Sequence, residues 1–364
     1  MSEGLTKKTA YEALKKFFKD KPFVIFGTGI SCAVHPDYGM PTLSRYLCEK
    51  IPQQKMTVEQ KIQWNSVTSA LDEGKDLESA MNGVKDENLI CRIVKSTADL
   101  VISLDRAHSR KIQMAETEWP ALLIFKRLLN LLIYDRTLHV ATPNYDLLAE
   151  YAFEQANIPY ITGFVGGVCR RLDWSQAERG MTYLEKNPRG KIKKLFTKTK
   201  PHIRLYKVHG SLNTFKYNNT TVENNAWMYE VPEGIERVMI TPGMMKYERL
   251  HEKRSDLLNT YDTELAKHIA FLFIGFGFND NQLINDSLKC KLINQKSPAL
   301  VITRDSNDRI ESLARNCENL WLVCAQQKGD SEGTRIFNIC KGEIYLPNIT
   351  LWDSREFARE ILGG

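Results

Sequence analysis

One short stretch limits the folds open to this chain more than any other. It is the apolar run Phe23–Phe26, which follows a proline and leads into the glycine turn Gly27-Thr28-Gly29-Ile30-Ser31. Such a run predicts a strand buried on both faces, as in a parallel sheet. Because glycine has no Cβ, the turn lets backbone N–H groups approach a phosphate, and the Ser31 hydroxyl can donate to one. The stretch predicts a nucleotide-binding loop. Alone it also fits an ordinary strand-to-helix turn, since Cys32 stands where the dinucleotide fingerprint has its third glycine.

The composition narrows the class of protein. With 364 residues the chain is long enough for one large α/β domain with an insertion, or for two domains. The formal net charge of +6 is too mild to indicate nucleic-acid binding, and we interpret the basic run Arg189–Lys200 as a solvated loop rather than a binding patch. No signal peptide and no apolar run of membrane-spanning length is visible, so we expect a cytoplasmic protein without a membrane partner.

The cysteines and histidines predict no metal site. The eight cysteines are scattered singly and form no CxxC pair, so a four-thiolate zinc site has no support from spacing. Single thiols suit a reducing compartment. The histidines likewise show no mutual ligand spacing.

Strand and helix patterns alternate along the chain. From Met56 to about Asp135 the pattern is almost entirely helical, which predicts a large insertion between the first and second strands. Later strands are predicted at Leu138–Thr142, Pro159–Phe164, Arg204–Val208, Val238–Thr241, Ala270–Gly275, Ala299–Thr303 and Leu320–Cys324. Helices are predicted at Asp256–His268, Gln282–Leu292 and Asp308–Cys317, and a hairpin pairs Thr214–Tyr217 with Ala226–Val231. The fold class is α/β, a Rossmann-like mostly parallel sheet with helices on both faces and a large helical insertion.

Polar or glycine-rich motifs follow four of the predicted strands. They are Gly27–Ser31, Asn144–Asp146, His209–Ser211 and Gly275–Asp280. In a doubly wound sheet, ligands bind outside the carboxyl ends of the strands, so these motifs are expected to meet at one site. Separately, Asn144 also fits a helix N-cap and His209 a hydrogen-bonded strand end. The convergence of four motifs favours the site.

These motifs, GTGIS, TPNYD, VHGS and GFGFND in this order, resemble the Sir2 superfamily, and in particular its bacterial branch of Sir2-like NAD-cleaving enzymes. The resemblance spans about residues 22–303. It implies a single Sir2-like NAD-binding domain over residues 1–364, with the insertion at about 52–135 and a C-terminal extension at about 304–364.

The resemblance also implies roles for the motif residues. The first motif would wrap the pyrophosphate of NAD, through Gly27, Thr28, Gly29, Ile30 and Ser31. Asn144 would lie beside the ribose and nicotinamide and be needed for cleavage. Asp146 would contact the carboxamide, and His209 would act as a base on the ribose hydroxyls. Five more residues would complete the cofactor site: Gly210, Ser211, Gly275, Gly277 and Phe278. The last of these fits equally well in the core.

The chemistry of these residue types agrees with that implication. Breaking the nicotinamide–ribose bond develops positive charge on the sugar, which preorganised polar groups stabilise in a dry pocket. Asn144 can orient a hydroxyl or a water without adding charge. A histidine such as His209 can accept a proton near neutral pH.

The chain departs from the Sir2 deacylases in two places. It lacks their two zinc-binding CxxC pairs, and its segment Gly39–Ser44 lacks the arginine that follows their glycine loop. The acyl-lysine groove therefore has no visible support, which leaves water as the acceptor and an NAD hydrolase as the prediction. A protein deacylase and a non-catalytic NAD or ADP-ribose sensor remain alternatives. A dehydrogenase is disfavoured by the missing third glycine, although Glu49 stands near the position of a ribose-binding acid.

The resemblance implies partners as well. Members of that branch commonly act in bacterial anti-phage defence, where loss of NAD halts the infected cell. NAD is then the substrate, with no metal. Because a constantly active NADase is toxic, we expect a separate activating partner such as a HerA-type ATPase, with nucleic acid involved only indirectly. A homo-oligomer is also expected.

Overall fold

The predicted first strand is present as β1 (Phe23–Phe26), and all four of its residues are buried. In the computed structural model, which describes residues 4–133, 136–186, 195–240, 258–280 and 283–363, β1 lies inside a sheet of nine described strands. It pairs in parallel with a strand on each side. A short run that is apolar at every position is typical of this central location.

The remaining strands, in chain order, are β2 (Thr137–Thr142), β3 (Tyr160–Ile161), β4 (Phe164–Gly166), β5 (Arg170–Leu172), β6 (Thr182–Lys186), β7 (Leu195–Thr199), β8 (His202–Lys207), β9 (Gly210–Tyr217), β10 (Thr220–Glu223), β11 (Glu236–Met239), β12 (Phe271–Ile274), β13 (Ala299–Thr303), β14 (Leu320–Lys328), β15 (Ser331–Asn338) and β16 (Gly342–Pro347). The large sheet has the order β16-β15-β14-β13-β12-β1-β2-β8-β3. Its strands run in parallel from β14 through β3. Among the described strands of this sheet, only β15 runs in the opposite direction, and it pairs antiparallel with both β14 and β16.

The α-helices are α1 (Lys7–Phe17), α2 (Thr28–Cys32), α3 (Met40–Lys50), α4 (Val58–Asp72), α5 (Leu77–Ala80), α6 (Glu87–Gln113), α7 (Leu122–Asn130), α8 (Leu148–Gln155), α9 (Trp174–Gly180), α10 (residues 258–267), α11 (Asp286–Ile293), α12 (Asp308–Asn316) and α13 (Ser354–Leu362). Helices lie on both faces of the large sheet, because alternate side chains of β1 enter two different cores. Val24 and Phe26 pack with α1, α7, α8 and α13, whereas Phe23 and Ile25 pack with α10, α11 and α12. The predicted fold class is confirmed.

Every regular element described between β1 and β2 is helical, as the sequence predicted. Helices α4, α5 and α6 of this insertion share an apolar core with α3, which precedes it, and this core is built around Leu47, Trp64 and Ile93. The longest of them, α6, also packs against α8, next to the second motif. The insertion is thereby fixed against the carboxyl edge of the sheet.

A second, antiparallel sheet has the order β11-β9-β10-β5-β4. The predicted hairpin belongs to it, but its second strand was wrong. Strand β9 pairs with β10 across Asn218 and Asn219, both with positive φ, while Asn225–Trp227 is a 3₁₀ turn. Asparagine tolerates positive φ, so this dipeptide forms a two-residue turn and fixes the nearer strand as the partner.

The predicted basic loop Arg189–Lys200 was wrong in its second half. Residues 195–199 form β7, which pairs with β6, and residues 189–194 lie outside the described part of the chain. Three further predicted positions also lie outside it: Thr241, residues 256–257 and Gln282. Among the described helices, none is long and apolar enough to cross a membrane.

Candidate functional site

A cavity of about 310 Å³ lies at the carboxyl edge of the large sheet. All four sequence motifs contribute to its lining, through Gly27, Thr28, Gly29, Asn144, Asp146, His209, Gly275 and Gly277. These residues follow β1, β2, β8 and β12, and β13 adds Thr303 from its own end. The convergence predicted from the sequence is therefore present. It arises because parallel strands deliver all their carboxyl ends to one edge.

The first and fourth motifs need glycine because their backbones pack directly on each other. A Cβ on Gly29 would lie 2.8 Å from the Gly275 carbonyl oxygen, and a Cβ on Gly275 would lie 2.7 Å from the Ile30 nitrogen. The Gly29 N–H donates to that same carbonyl at 2.9 Å. Gly275 also has a φ of +55°, which side chains rarely adopt. These glycines bring two strand ends together.

Asn144 is buried and fastens the second motif to the first. Its Nδ2 donates to the Gly27 carbonyl at 3.2 Å and to the Ser31 Oγ at 3.1 Å, and its Oδ1 lies 3.5 Å from the Thr28 hydroxyl. Its backbone N–H donates to Thr142. The amide is held in one orientation beside the cavity. Asn144 is not the N-cap of α8, a position that Leu147 takes.

Ser31 extends this network behind the cavity wall, to Asp146, which lines the cavity. The Ser31 hydroxyl donates to Asp146 Oδ2 at 2.8 Å, and Asp146 Oδ1 accepts from the Leu148 N–H at the start of α8. The sequence assigned the Ser31 hydroxyl to a phosphate. Here it orients the carboxylate, and its role toward phosphate stays a prediction.

Lys207, to which the sequence assigned no role, contacts the backbone of Asp146. Its ammonium donates to the Asp146 carbonyl and lies 2.8 Å from Glu150 Oε1, with both side chains buried. Burial raises the pKa of Glu150, against the influence of the ammonium. Removing one partner of such a pair leaves a buried charge, so the arrangement fixes the second motif strongly.

Asp105 was also missed, and it connects the insertion to the same motif. Its carboxyl, fully buried on α6, accepts from the Leu147 N–H at 3.3 Å and from the Tyr151 hydroxyl at 2.9 Å. Burial raises its pKa to about 7. The sequence carried one sign of this role. Asp105 lies on the apolar face of the long amphipathic helix α6, the face that also carries the buried residues Ala98 and Ile112.

His209 also lines the cavity, and it contacts Asp280, the last residue of the fourth motif, to which the sequence assigned no role. Its Nε2 is 2.8 Å from Asp280 Oδ2, and both side chains are buried. Asp280 Oδ1 accepts from the Leu283 N–H. The His209 carbonyl accepts from Ile240, and the φ of Gly210 is +81°, where a Cβ would lie 1.9 Å from the Val238 carbonyl. That glycine lets the chain turn from the site into β9.

Four other predicted residues lie away from the cavity lining. Ile30 is in the core below the glycine turn, and Ser211 hydrogen-bonds within the second sheet. Gly210 turns the chain into that sheet, and Phe278 packs on Phe273 in the core with ring centroids 4.7 Å apart. Their assignment to the cofactor stays a prediction.

The opposite wall of the cavity comes largely from the segment between β1 and β2. It contributes Asp37, Tyr38, Met40, Leu43, Glu78, Leu100, Val101 and Leu104. No motif pointed to these residues, since helices with ordinary amphipathic patterns carry them. Among the described residues, no group of three or more histidine, cysteine or acidic side chains is placed to hold a metal ion, and all eight cysteines are free.

A doubly wound sheet with glycine turns, an asparagine and a histidine at one cavity is an arrangement typical of nucleotide-binding α/β proteins. The model of one family, the SIR2-like domain, matches residues 138–320. The chain belongs to this family of NAD-using enzymes, which confirms the superfamily that the motifs indicated. The match contains the second, third and fourth motifs.

Comparison with solved structures gives a weaker likeness. A structure from work on the structural basis for the mechanism and regulation of Sir2 enzymes aligns with 84% of this chain and 89% of its own, at 11% identity and a TM-score of 0.36. That score is too low to add to the argument. No curated protein matches the chain.

Proposed function

We propose that this protein is an NAD glycohydrolase that cleaves NAD to nicotinamide and ADP-ribose. One observation carries the proposal: Asn144 and His209 line the same cavity as the glycine turn Gly27–Gly29. The turn would hold the pyrophosphate, and the ribose would lie between the asparagine and the histidine. Asp146 would face the carboxamide.

The reaction balances with water as the only co-reactant. The bond between ribose C1′ and nicotinamide breaks, and its electron pair neutralises the positively charged ring nitrogen. Water oxygen bonds to C1′ and its proton passes to solvent, while His209 acts as a base toward the ribose hydroxyls, so NAD⁺ and water give nicotinamide, ADP-ribose and H⁺. Asn144, fixed by its own hydrogen bonds, would orient the reacting groups at no cost of reorganisation in the transition state.

Water is favoured over an acyl-lysine acceptor for two reasons. The segment Gly39–Ser44 lacks the arginine that the deacylases carry there. In addition, the side of the cavity away from the sheet is lined by the insertion, including Glu78, Leu100 and Leu104. A mostly apolar wall at this place suits a shielded hydrolytic site.

We further propose a cytoplasmic role in anti-phage defence by NAD depletion, as the resemblance of the motifs implies. The activity would be held off until an activating partner, such as a HerA-type ATPase, engages the enzyme. A homo-oligomer would be the unit that the partner engages. Co-purification with a HerA-type protein and the onset of NAD loss on mixing would test this part separately.

The test of the activity is product analysis by chromatography. Purified protein is incubated with NAD, alone and with a candidate HerA-type partner, each with and without an acyl-lysine peptide. We expect nicotinamide and ADP-ribose in equal amounts, independent of the peptide. Peptide-dependent O-acyl-ADP-ribose would instead identify a deacylase. NAD binding with no product in any arm would identify a sensor.

A further inference from the structure

We propose that Asp280 is the positioning residue that sets the tautomer of His209 for NAD cleavage, an inference that rests on the proposed function. The contact is His209 Nε2 to Asp280 Oδ2 at 2.8 Å. The His209 and Asp280 residues are 3% and 6% exposed, and both border the cavity. At that depth, burying a carboxylate or an imidazole costs free energy unless the group is paired.

The contact indicates which ring nitrogen carries the proton. Asp280 Oδ2 lies 2.8 Å from Nε2, at ion-pair distance but outside hydrogen-bond geometry. Because a carboxylate only accepts, a lone pair on Nε2 would face a negative oxygen, so we expect hydrogen on Nε2. The lone pair is then on Nδ1, which becomes the nitrogen that receives a proton during the reaction. When it does, the imidazolium is stabilised by the adjacent carboxylate, without transfer of the Nε2 proton.

The carboxylate is itself held in place by the chain. Asp280 Oδ1 accepts from the Leu283 N–H at 3.3 Å, and the Asp280 carbonyl accepts from Ile284 at 3.0 Å. The loop that carries it begins at Gly275, whose backbone packs on the first motif. The fourth motif thus serves two purposes, because it closes on the glycine turn and delivers an acid to the histidine.

Among the described residues, two buried tyrosines near Asp280 do not take over this role. Tyr145 and Tyr261 lie within electrostatic range of Asp280, and burial raises the pKa of both hydroxyls above their ordinary value, so both stay neutral. The remaining carboxyl groups that line the cavity are Asp37, Glu78 and Asp146. Of these, Asp146 is engaged by Ser31 and the start of α8.

The first test reads the tautomer directly and needs no activity. In ¹⁵N-histidine NMR of the full-length protein above pH 8, with His209→Gln used to assign the signal, we expect His209 to carry hydrogen on Nε2. Asp280→Asn should change the tautomer ratio or ring shifts, whereas Asp286→Asn, on the exposed first turn of α11, should not. Hydrogen on Nδ1 in the wild type would overturn the proposal.

The second test is kinetic, under the conditions in which the wild type cleaves NAD. We expect Asp280→Asn to lower kcat by about 100-fold or more with KM changed only a few-fold. The acid limb of its pH–rate profile should move to lower pH, because the imidazolium has lost its negative neighbour. An unchanged kcat and profile in a folded variant would overturn the proposal.

The two tests also separate this inference from the proposed function. If the wild type never cleaves NAD, the hydrolase is overturned, and with it the catalytic purpose of Asp280. The NMR result then still decides whether the pair forms. If Asp280→Asn does not fold, Asp280→Glu replaces it. We expect its kcat to lie below that of the wild type but above the value predicted for Asp280→Asn, and its pH profile to resemble that of the wild type.

Discussion

The two sides of the cavity are held by different kinds of contact. On one side, Asn144 is fixed by hydrogen bonds to backbone and hydroxyl groups of the glycine turn, with Asp105 supporting the loop that follows. On the other side, His209 meets the carboxylate of Asp280. The first arrangement fixes a neutral group in one orientation, whereas the second fixes a group that gains and loses a proton. The comparison shows that different residues, held by different contacts, would position the substrate and transfer the proton.

The largest effect is expected from Asn144→Ala, which removes the positioning group. NAD cleavage should fall about 100-fold or more, because a preorganised polar group is lost where charge develops. Asn338→Ala is the matched control, since Asn338 is equally buried and donates to two backbone carbonyls far along the sheet. Both variants should lose about 1–3 kcal/mol of stability in urea unfolding. Only the first should lose activity, and equal activities would contradict the account.

A smaller effect, on stability, is expected from Asp105→Asn. The pKa of Asp105 is raised by burial to about 7, against about 3.9 in an unfolded chain. Between those values the folded protein keeps a proton that the unfolded chain releases. Stability contributed through this group therefore falls as pH rises from about 4 to about 7, and is then constant.

The variant should not show this loss. The free energy of unfolding of the variant minus that of the wild type should therefore rise by about 1.4 kcal/mol per pH unit between about pH 4 and about pH 7. Urea unfolding of both proteins at several pH values measures it, with Asp99→Asn as a control on the exposed face of the same helix. Parallel curves for wild type and Asp105→Asn would show that the carboxyl is not held in its neutral form.

The smallest effect is expected from metal removal. Neither side of the cavity uses a metal in this account, so chelator treatment should leave the melting temperature and NAD cleavage unchanged. Metal analysis of the untreated protein should find less than stoichiometric zinc. One tightly bound zinc per chain, with loss of folding on its removal, would contradict this.

The sequence predicted one side of the cavity better than the other. Asn144 and the glycine turn lie within short motifs next to apolar strands, so a local pattern was enough. Asp280 stands in the fourth motif, but its contact with His209 joins positions 71 residues apart and depends on how two loops meet. Asp105 carried still less signal, because burial of a helix face is decided by tertiary packing.

The fold shows the same limit. Strands with continuous apolar runs, such as β12 and β13, were predicted nearly to the residue. Strands β15 and β16 were missed, because they lie at the edge of the sheet and mix exposed polar with buried apolar positions. The second strand of the hairpin was placed too late in the chain, because a two-residue turn at Asn218 and Asn219 lets its partner begin at once, at Thr220.

The most direct test of the central claim pairs NAD binding with NAD cleavage in His209→Ala. Calorimetry gives the affinity and chromatography the rate, for this variant and the wild type, under conditions in which the wild type is active. We predict that the variant binds NAD within a few-fold of the wild type, because the hydrogen bonds that join Asn144 to the turn Gly27–Gly29 and to Ser31 do not include His209. We also predict that it loses cleavage by about 100-fold or more. Cleavage at the wild-type rate would show that the histidine is structural, and would contradict the division of the site into a positioning side and a proton-transferring side.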